Sequence, residues 1–136
     1  MHLQDNEALI YVNSSTNVVA PTKRLWAFAH FGSRFIQQGA YRIGATITGG
    51  NATTALNTTA FANADGSIAV QIINNSNQNE TVTLENSGLT TSGYVSTWLT
   101  NNNNDLTQSH PISQDKGKIV AVVPAKSLFS YLVVPS

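Results

Sequence analysis

The chain has 136 residues with seven basic and seven acidic side chains, so it carries no formal net charge, and charged residues make up only 10% of it. Without a run of Lys or Arg to neutralise phosphate, nucleic acid and anionic membranes are excluded as expected partners. The absence of cysteine excludes disulfides and thiolate metal sites, and no apolar stretch reaches the ~18 residues needed to span a bilayer.

Taken in chain order, a short apolar run at 8–12 predicts a strand, and the polar stretch 13–19 a connection to Pro21. Thr22 follows as an N-cap for one amphipathic helix over 22–38, which Gly39 stops. Leu25, Phe28, Ala29, Gly32, Phe35 and Ile36 recur at i, i+3, i+4, i+7 and so form one stripe. Lys23, Ala27, His30 and Arg34 lie on another face, where His30 is expected at the surface. Trp26 and Phe31 belong cleanly to neither face. A helix apolar on more than one side is normally covered on more than one side, so Trp26 and Phe31 are candidates for an interface with a second copy or with a missing domain.

Beyond Gly39 the pattern is strand and turn, with predicted strands at 41–48, 56–62, 67–74, 80–85, 93–99, 118–123 and 128–134. Ile68, Val70 and Ile72 alternate with Ala69 and Gln71, and Val82 and Leu84 with Thr81 and Thr83. This period of two puts one set on a core and the other towards solvent. The expected core is Val70, Ile72, Val82, Leu84, Val120, Val122, Leu132 and Val134. Asp65-Gly66 signals a hairpin, 75–79 a longer hairpin loop, and 101–105 an Asn-rich tip between strands. The fold class expected is mainly β, an antiparallel sandwich of about seven or eight strands with one N-terminal α-helix. An arm at 1–21 precedes the helix at 22–38, which forms one domain with the sandwich at 39–136.

Little in the chain promises catalysis. Glu80 and Glu85 would face opposite sides of one strand, Asp65 reads as a turn residue, and His2, His30 and His110 lack metal-ligand spacing. No nucleophile elbow, phosphate loop or dinucleotide fingerprint occurs, and no cofactor is expected. Asn-x-Ser/Thr occurs at Asn13, Asn51, Asn57, Asn74 and Asn79, each a candidate glycosylated surface position if the chain is secreted. Tyr94 and Trp98 share a strand face beside Asn101, Asn102, Asn103 and Asn104. Aromatic rings and amides together suit sugar stacking and hydroxyl recognition, so these residues are glycan-contact candidates, against a simpler reading of Trp98 as core.

Three ordered motifs resemble glycoside hydrolase family 30, the group with fungal endo-β-1,6-galactanases and β-1,6-glucanases. They are Lys23-Arg24-Leu25-Trp26 with Phe31-Gly32-Ser33-Arg34-Phe35 and the Gly39-Ala40-Tyr41-Arg42-Ile43 junction; Phe61 to Val70 with Asn74-Asn75-Ser76; and Val123 to Tyr131. Gly32 is an insertion relative to the family's Phe-Ser-Arg-Phe, and Gln37-Gln38 stand where it has Arg-Pro. One extra helical residue would rotate later side chains by roughly 100°.

The resemblance implies the last barrel helix and the C-terminal β-sandwich of such an enzyme. It also implies that both catalytic glutamates, which lie on barrel strands, are absent here and the chain is no enzyme by itself. A missing catalytic barrel or a homodimer through the helix would then cover Trp26 and Phe31. In the family, part of the sandwich comes from residues preceding the barrel, so Leu9–Val12 is expected to substitute or one sheet edge to stay open. Secretion is expected with its leader already removed, since Met1-His2-Leu3-Gln4-Asp5 has no signal-peptide character. The alternative is a stand-alone secreted fungal glycan-binding, lectin-like or immunomodulatory protein on the same module.

Overall fold

The computed structural model describes residues 8–49, 55–85, 93–109, 113–115 and 118–135. Its elements are β1 (Ile10–Asn13), β2 (Val18–Pro21), α1 (Lys23–Ala29), β3 (Tyr41–Ile43), β4 (Leu56–Ala62) and β5 (Ile68–Asn74). They continue with β6 (Glu80–Glu85), β7 (Tyr94–Asn101), β8 (Asn104–Ser109), β9 (Ser113–Asp115), β10 (Lys118–Val123) and β11 (Ser127–Val134). A large sheet runs β3-β4-β5-β11-β7-β8 and a small one β6-β10-β9. All pairings are antiparallel. The mainly β, sandwich-like class expected from the alternation is what the chain adopts.

The core lies between these two sheets. Leu56 and Ala60 of β4, Val70 and Ile72 of β5, Val95 of β7 and Phe129, Tyr131 and Val133 of β11 meet Ile119, Ala121 and Val123 of β10. Val82 and Leu84 pack against this cluster from β6 as partly buried residues. On β10 and β11 the sequence pattern put the wrong face inward. Val120, Val122, Leu132 and Val134 point away from this core, and Val122 and Val134 are exposed. These strands are apolar on both sides, so period two alone does not choose between their faces.

The large sheet is covered on its second face as well. Ala69 and Gln71, expected in solvent, are buried there, Gln71 against the turn after α1, where it donates to the His30 carbonyl. The helix is shorter than the periodicity predicted: it ends at Ala29, and none of its residues is buried. His30, Phe31 and Gly32 close onto Ala27, Phe28 and Ala29 through i to i−3 bonds, a tightening that suits helix ends. A Cβ at Gly32 would approach the Ala29 carbonyl oxygen to 3.3 Å, so glycine there eases the turn. The apolar stripe drawn over 22–38 is therefore broken: Phe35 is fully buried while Phe28 is 61% exposed.

Two further expectations change. The stretch 13–19 is no plain connection, because Val18–Pro21 pairs with β1 in a separate two-stranded hairpin. Leu9–Val12 thus does not complete the sandwich. The loop 75–79 is not a hairpin either: it leaves β5 in the large sheet and enters β6 in the small one. The Asp65-Gly66 turn does join β4 to β5, with Gly66 at φ +84. Asp65 accepts from the Ser67 hydroxyl and amide and from Gln37, which holds its carboxyl below the usual range.

Candidate functional site

The most organised polar cluster lies where residues 30–36 meet the outer face of the large sheet. Alternation along β5, β7 and β11 turns Gln71, Trp98, Thr100 and Ser130 to that side. His30 is fully buried against them. Its Nδ1 is 2.6 Å from Ser130 Oγ, its Nε2 is 2.9 Å from Thr100 Oγ1, and its carbonyl accepts from Gln71 Nε2 at 3.1 Å. Phe35 stacks on its ring at 5.9 Å and meets Trp98 edge-on. The expectation of a surface His30 is overturned, because the helix ends at this residue and the turn carries its side chain into the sheet.

The chemistry available to this cluster is structural. Burial pushes His30 down to about pKa 4, so it is neutral near pH 7 and able to donate through one nitrogen and accept through the other. A histidine beside a serine hydroxyl is the pairing used in nucleophilic catalysis. Here Ser130 and His30 are both sealed from solvent and no carboxylate orients the ring. Among the described residues, Gln71 Oε1 is buried without a partner. Among the described residues no group of three or more His, Cys, Asp or Glu could hold a metal ion.

The glycan-contact candidates are spread out. Tyr94 is 56% exposed at one end of β7, whereas Trp98 is half-buried, with the Arg34 guanidinium 4.6 Å above its ring. Arg34 therefore already covers one face of the ring. Asn101 Oδ1 accepts from the Asn103 amide and from Asn104 Nδ2, so these amides shape the turn between β7 and β8. Asn102 and Asn103 are exposed. Strand rise places Tyr94 about 25 Å from Asn102, too far apart for one small glycan.

The sequons also divide. Asn57 and Asn79 are exposed, and Asn13 is half-buried, accepting from the amides of Ser15 and Thr16. Asn74 is 1% exposed, which removes it as a surface acceptor. Asn51 lies outside the described residues.

Of the interface candidates, Trp26 is half-buried and Phe31 exposed. Sequence reasoning missed the larger feature. Ile10, Tyr11, Val12, Val18 and Val19 of the β1–β2 hairpin are all exposed, and so is Phe28. Beside β6, an open cavity of about 770 Å³ is lined by Ile43, Ile47, Leu56, Ile72, Val82 and Leu84 among others.

The glycosyl hydrolase family 30 β-sandwich domain matches residues 39–131. The chain belongs to glycosyl hydrolase family 30. Among solved structures, the family 30 subfamily 8 xylanase Xyn30A from Clostridium acetobutylicum superposes with a TM-score of 0.77 at 20% identity, over 96% of this chain and 32% of that one. The family 30 xylanase C catalytic domain from Talaromyces cellulolyticus gives 0.74 at 34% identity, over 93% and 27%. A family 30 endoxylanase from Clostridium papyrosolvens C71 gives 0.74 at 18%, over 91% and 30%. The chain thus spans about a third or less of these family 30 structures.

Proposed function

We propose that the chain is the non-catalytic side module of a secreted family 30 glycoside hydrolase, seated in the intact enzyme against a catalytic body. The observation that carries this reading is the β1–β2 hairpin, apolar on both faces and exposed. Strands of that kind belong to interiors covered from two sides, and a lone two-stranded hairpin is marginal in water. The open cavity beside β6 supports the same reading, since it would seat a further extended segment. The higher identity to the Talaromyces enzyme than to the clostridial ones favours a fungal source. In isolation, a second copy of the chain is the occupant available to the hairpin.

The test is hydrolysis by the chain alone. Retaining and inverting glycosidases both need a carboxyl pair flanking the scissile bond. Among the described residues, Asp65 is held in a turn by Ser67, and Glu80 and Glu85 stand at opposite ends of β6, about 17 Å apart by strand rise. Assays on xylan, β-1,6-glucan and β-1,6-galactan are expected to show no reducing-sugar release above buffer. Release that is abolished by Glu80→Gln or Glu85→Gln would overturn the reading.

A further inference from the structure

Two sequons share one corner of the fold, where the chain passes between sheets twice: through 75–79 from β5 to β6, and through 124–126 from β10 to β11. Lys126 binds across this corner, its amide to the Ser76 carbonyl and its Nζ to the Asn75 carbonyl. Asn74 and Asn79 both hold the corner, but with different atoms. Asn74 Nδ2 donates to the carbonyls of Gln78, Val123 and Pro124 at 2.9, 3.1 and 3.0 Å, while its Oδ1 accepts from the Ser76 amide and hydroxyl. Asn79 uses only Oδ1, which accepts from the Ala125 amide at 2.9 Å. Its residue is exposed, and among the described residues no acceptor takes its Nδ2.

We propose that Asn79 is an N-glycan acceptor of this chain, and that the neighbouring Asn74 is a structural asparagine whose sequon stays silent in the folded protein. N-glycosylation acts on Nδ2. A bond forms between Nδ2 and the anomeric carbon of a lipid-diphosphate-linked oligosaccharide, the bond from that carbon to the diphosphate oxygen breaks, and one amide proton leaves with the lipid diphosphate. At Asn79 the product keeps its carbonyl oxygen, so the bond from Ala125 survives and the sugar projects into solvent. At Asn74 the same change would remove one of two N–H groups from a three-carbonyl pocket and force a sugar into a space closed to water. The hydroxyl that completes the Asn79 sequon, Thr81, is exposed. The glycan would stand at the start of β6, the outermost strand of its sheet among the described residues.

The test is site mapping on the full chain secreted from a eukaryotic host behind a signal peptide. Enzymatic deglycosylation in heavy-oxygen water should mark Asn79 as a labelled aspartate and leave Asn74 unlabelled. Thr81→Ala should remove one glycan step on a gel and keep the wild-type melting temperature, whereas Asn74→Asp should lower the melting temperature without changing the glycan count. Translation of wild type and Thr81→Ala with microsomes reads the same step where folding and export are no obstacle. An unlabelled Asn79, an unchanged gel pattern for Thr81→Ala, or a labelled Asn74 in protein that melts cooperatively would each overturn the proposal.

Discussion

At the scale of single residues, His30 links the turn after α1 to three strands of the large sheet, and every group bonded to it or stacked on it is uncharged. Its ordinary value of 6.5 falls to about 4 because burial penalises the imidazolium. The unfolded chain therefore takes up a proton first as pH falls. The stabilisation from a neutral His30 is complete above about pH 6.5 and is lost as pH drops towards 4. That lowering corresponds to about 3 kcal/mol at the acid end. Denaturant titrations at pH 7.5, 5.5 and 4.5 should show this decline in the wild type and a much flatter profile in His30→Gln. Equal slopes for both proteins would show that the ring is not buried as neutral imidazole. The sequence did hold a signal for this cluster. Gln71 and Ser130 interrupt apolar strands on a face that packs, and buried polar side chains require partners; only the structure shows that His30 is the partner of Ser130 Oγ and of Gln71 Nε2.

At the scale of elements, strand boundaries were legible where polar or turn residues bracket a short strand-forming run: β4, β6 and β10 span the predicted 56–62, 80–85 and 118–123. Strand faces were legible only where alternation is real. On β5 and β6 the inward set is Val70, Ile72, Val82 and Leu84, as the pattern placed them. On β10 the run Ile119-Val120-Ala121-Val122-Val123 is apolar throughout, and the facing sheet decides which set goes inside. Ile119→Ala should cost about 2–5 kcal/mol, the scale of a large-to-small change in a packed core. Val122→Ala, at a position 37% exposed, should stay near 0.5 kcal/mol, the scale of surface substitutions. Urea unfolding of the pair checks this, and a larger loss for Val122→Ala would reverse the assignment of faces. The helix was misjudged for a related reason. Periodicity continues past Ala29 in the sequence, but the i to i−3 bonds at His30, Phe31 and Gly32 turn the chain, and 3.6-residue spacing has no meaning beyond that turn.

At the scale of the molecule, the sandwich has a packed core of its own, whereas the N-terminal hairpin and helix bury none of their large apolar side chains completely. Thr22 ties the helix only to the hairpin, through the carbonyls of Ala8 and Leu9, while towards the sandwich the helix offers the Lys23–Asp105 pair across exposed surface, an ion pair of the kind that contributes at most about 1 kcal/mol. Meanwhile Val12, Val19 and Phe28 are each 60% or more exposed. Burying apolar surface stabilises by roughly 25 cal/mol per Å², so a second copy seated on this region would gain from covering it, against the entropy cost of association. Sedimentation velocity on the isolated chain should show dimers or larger species at high micromolar concentration. Val19→Asp and Phe28→Asp should return it to monomer without lowering the melting temperature, because neither side chain belongs to the core. Trp26→Asp is the poorer probe, since Trp26 is half-buried and its loss would also disturb the helix. A wild-type chain that remains monomeric throughout would mean that the hairpin folds against its own domain in solution. The exposed faces would then no longer support a missing catalytic body, leaving that reading to rest on family membership alone.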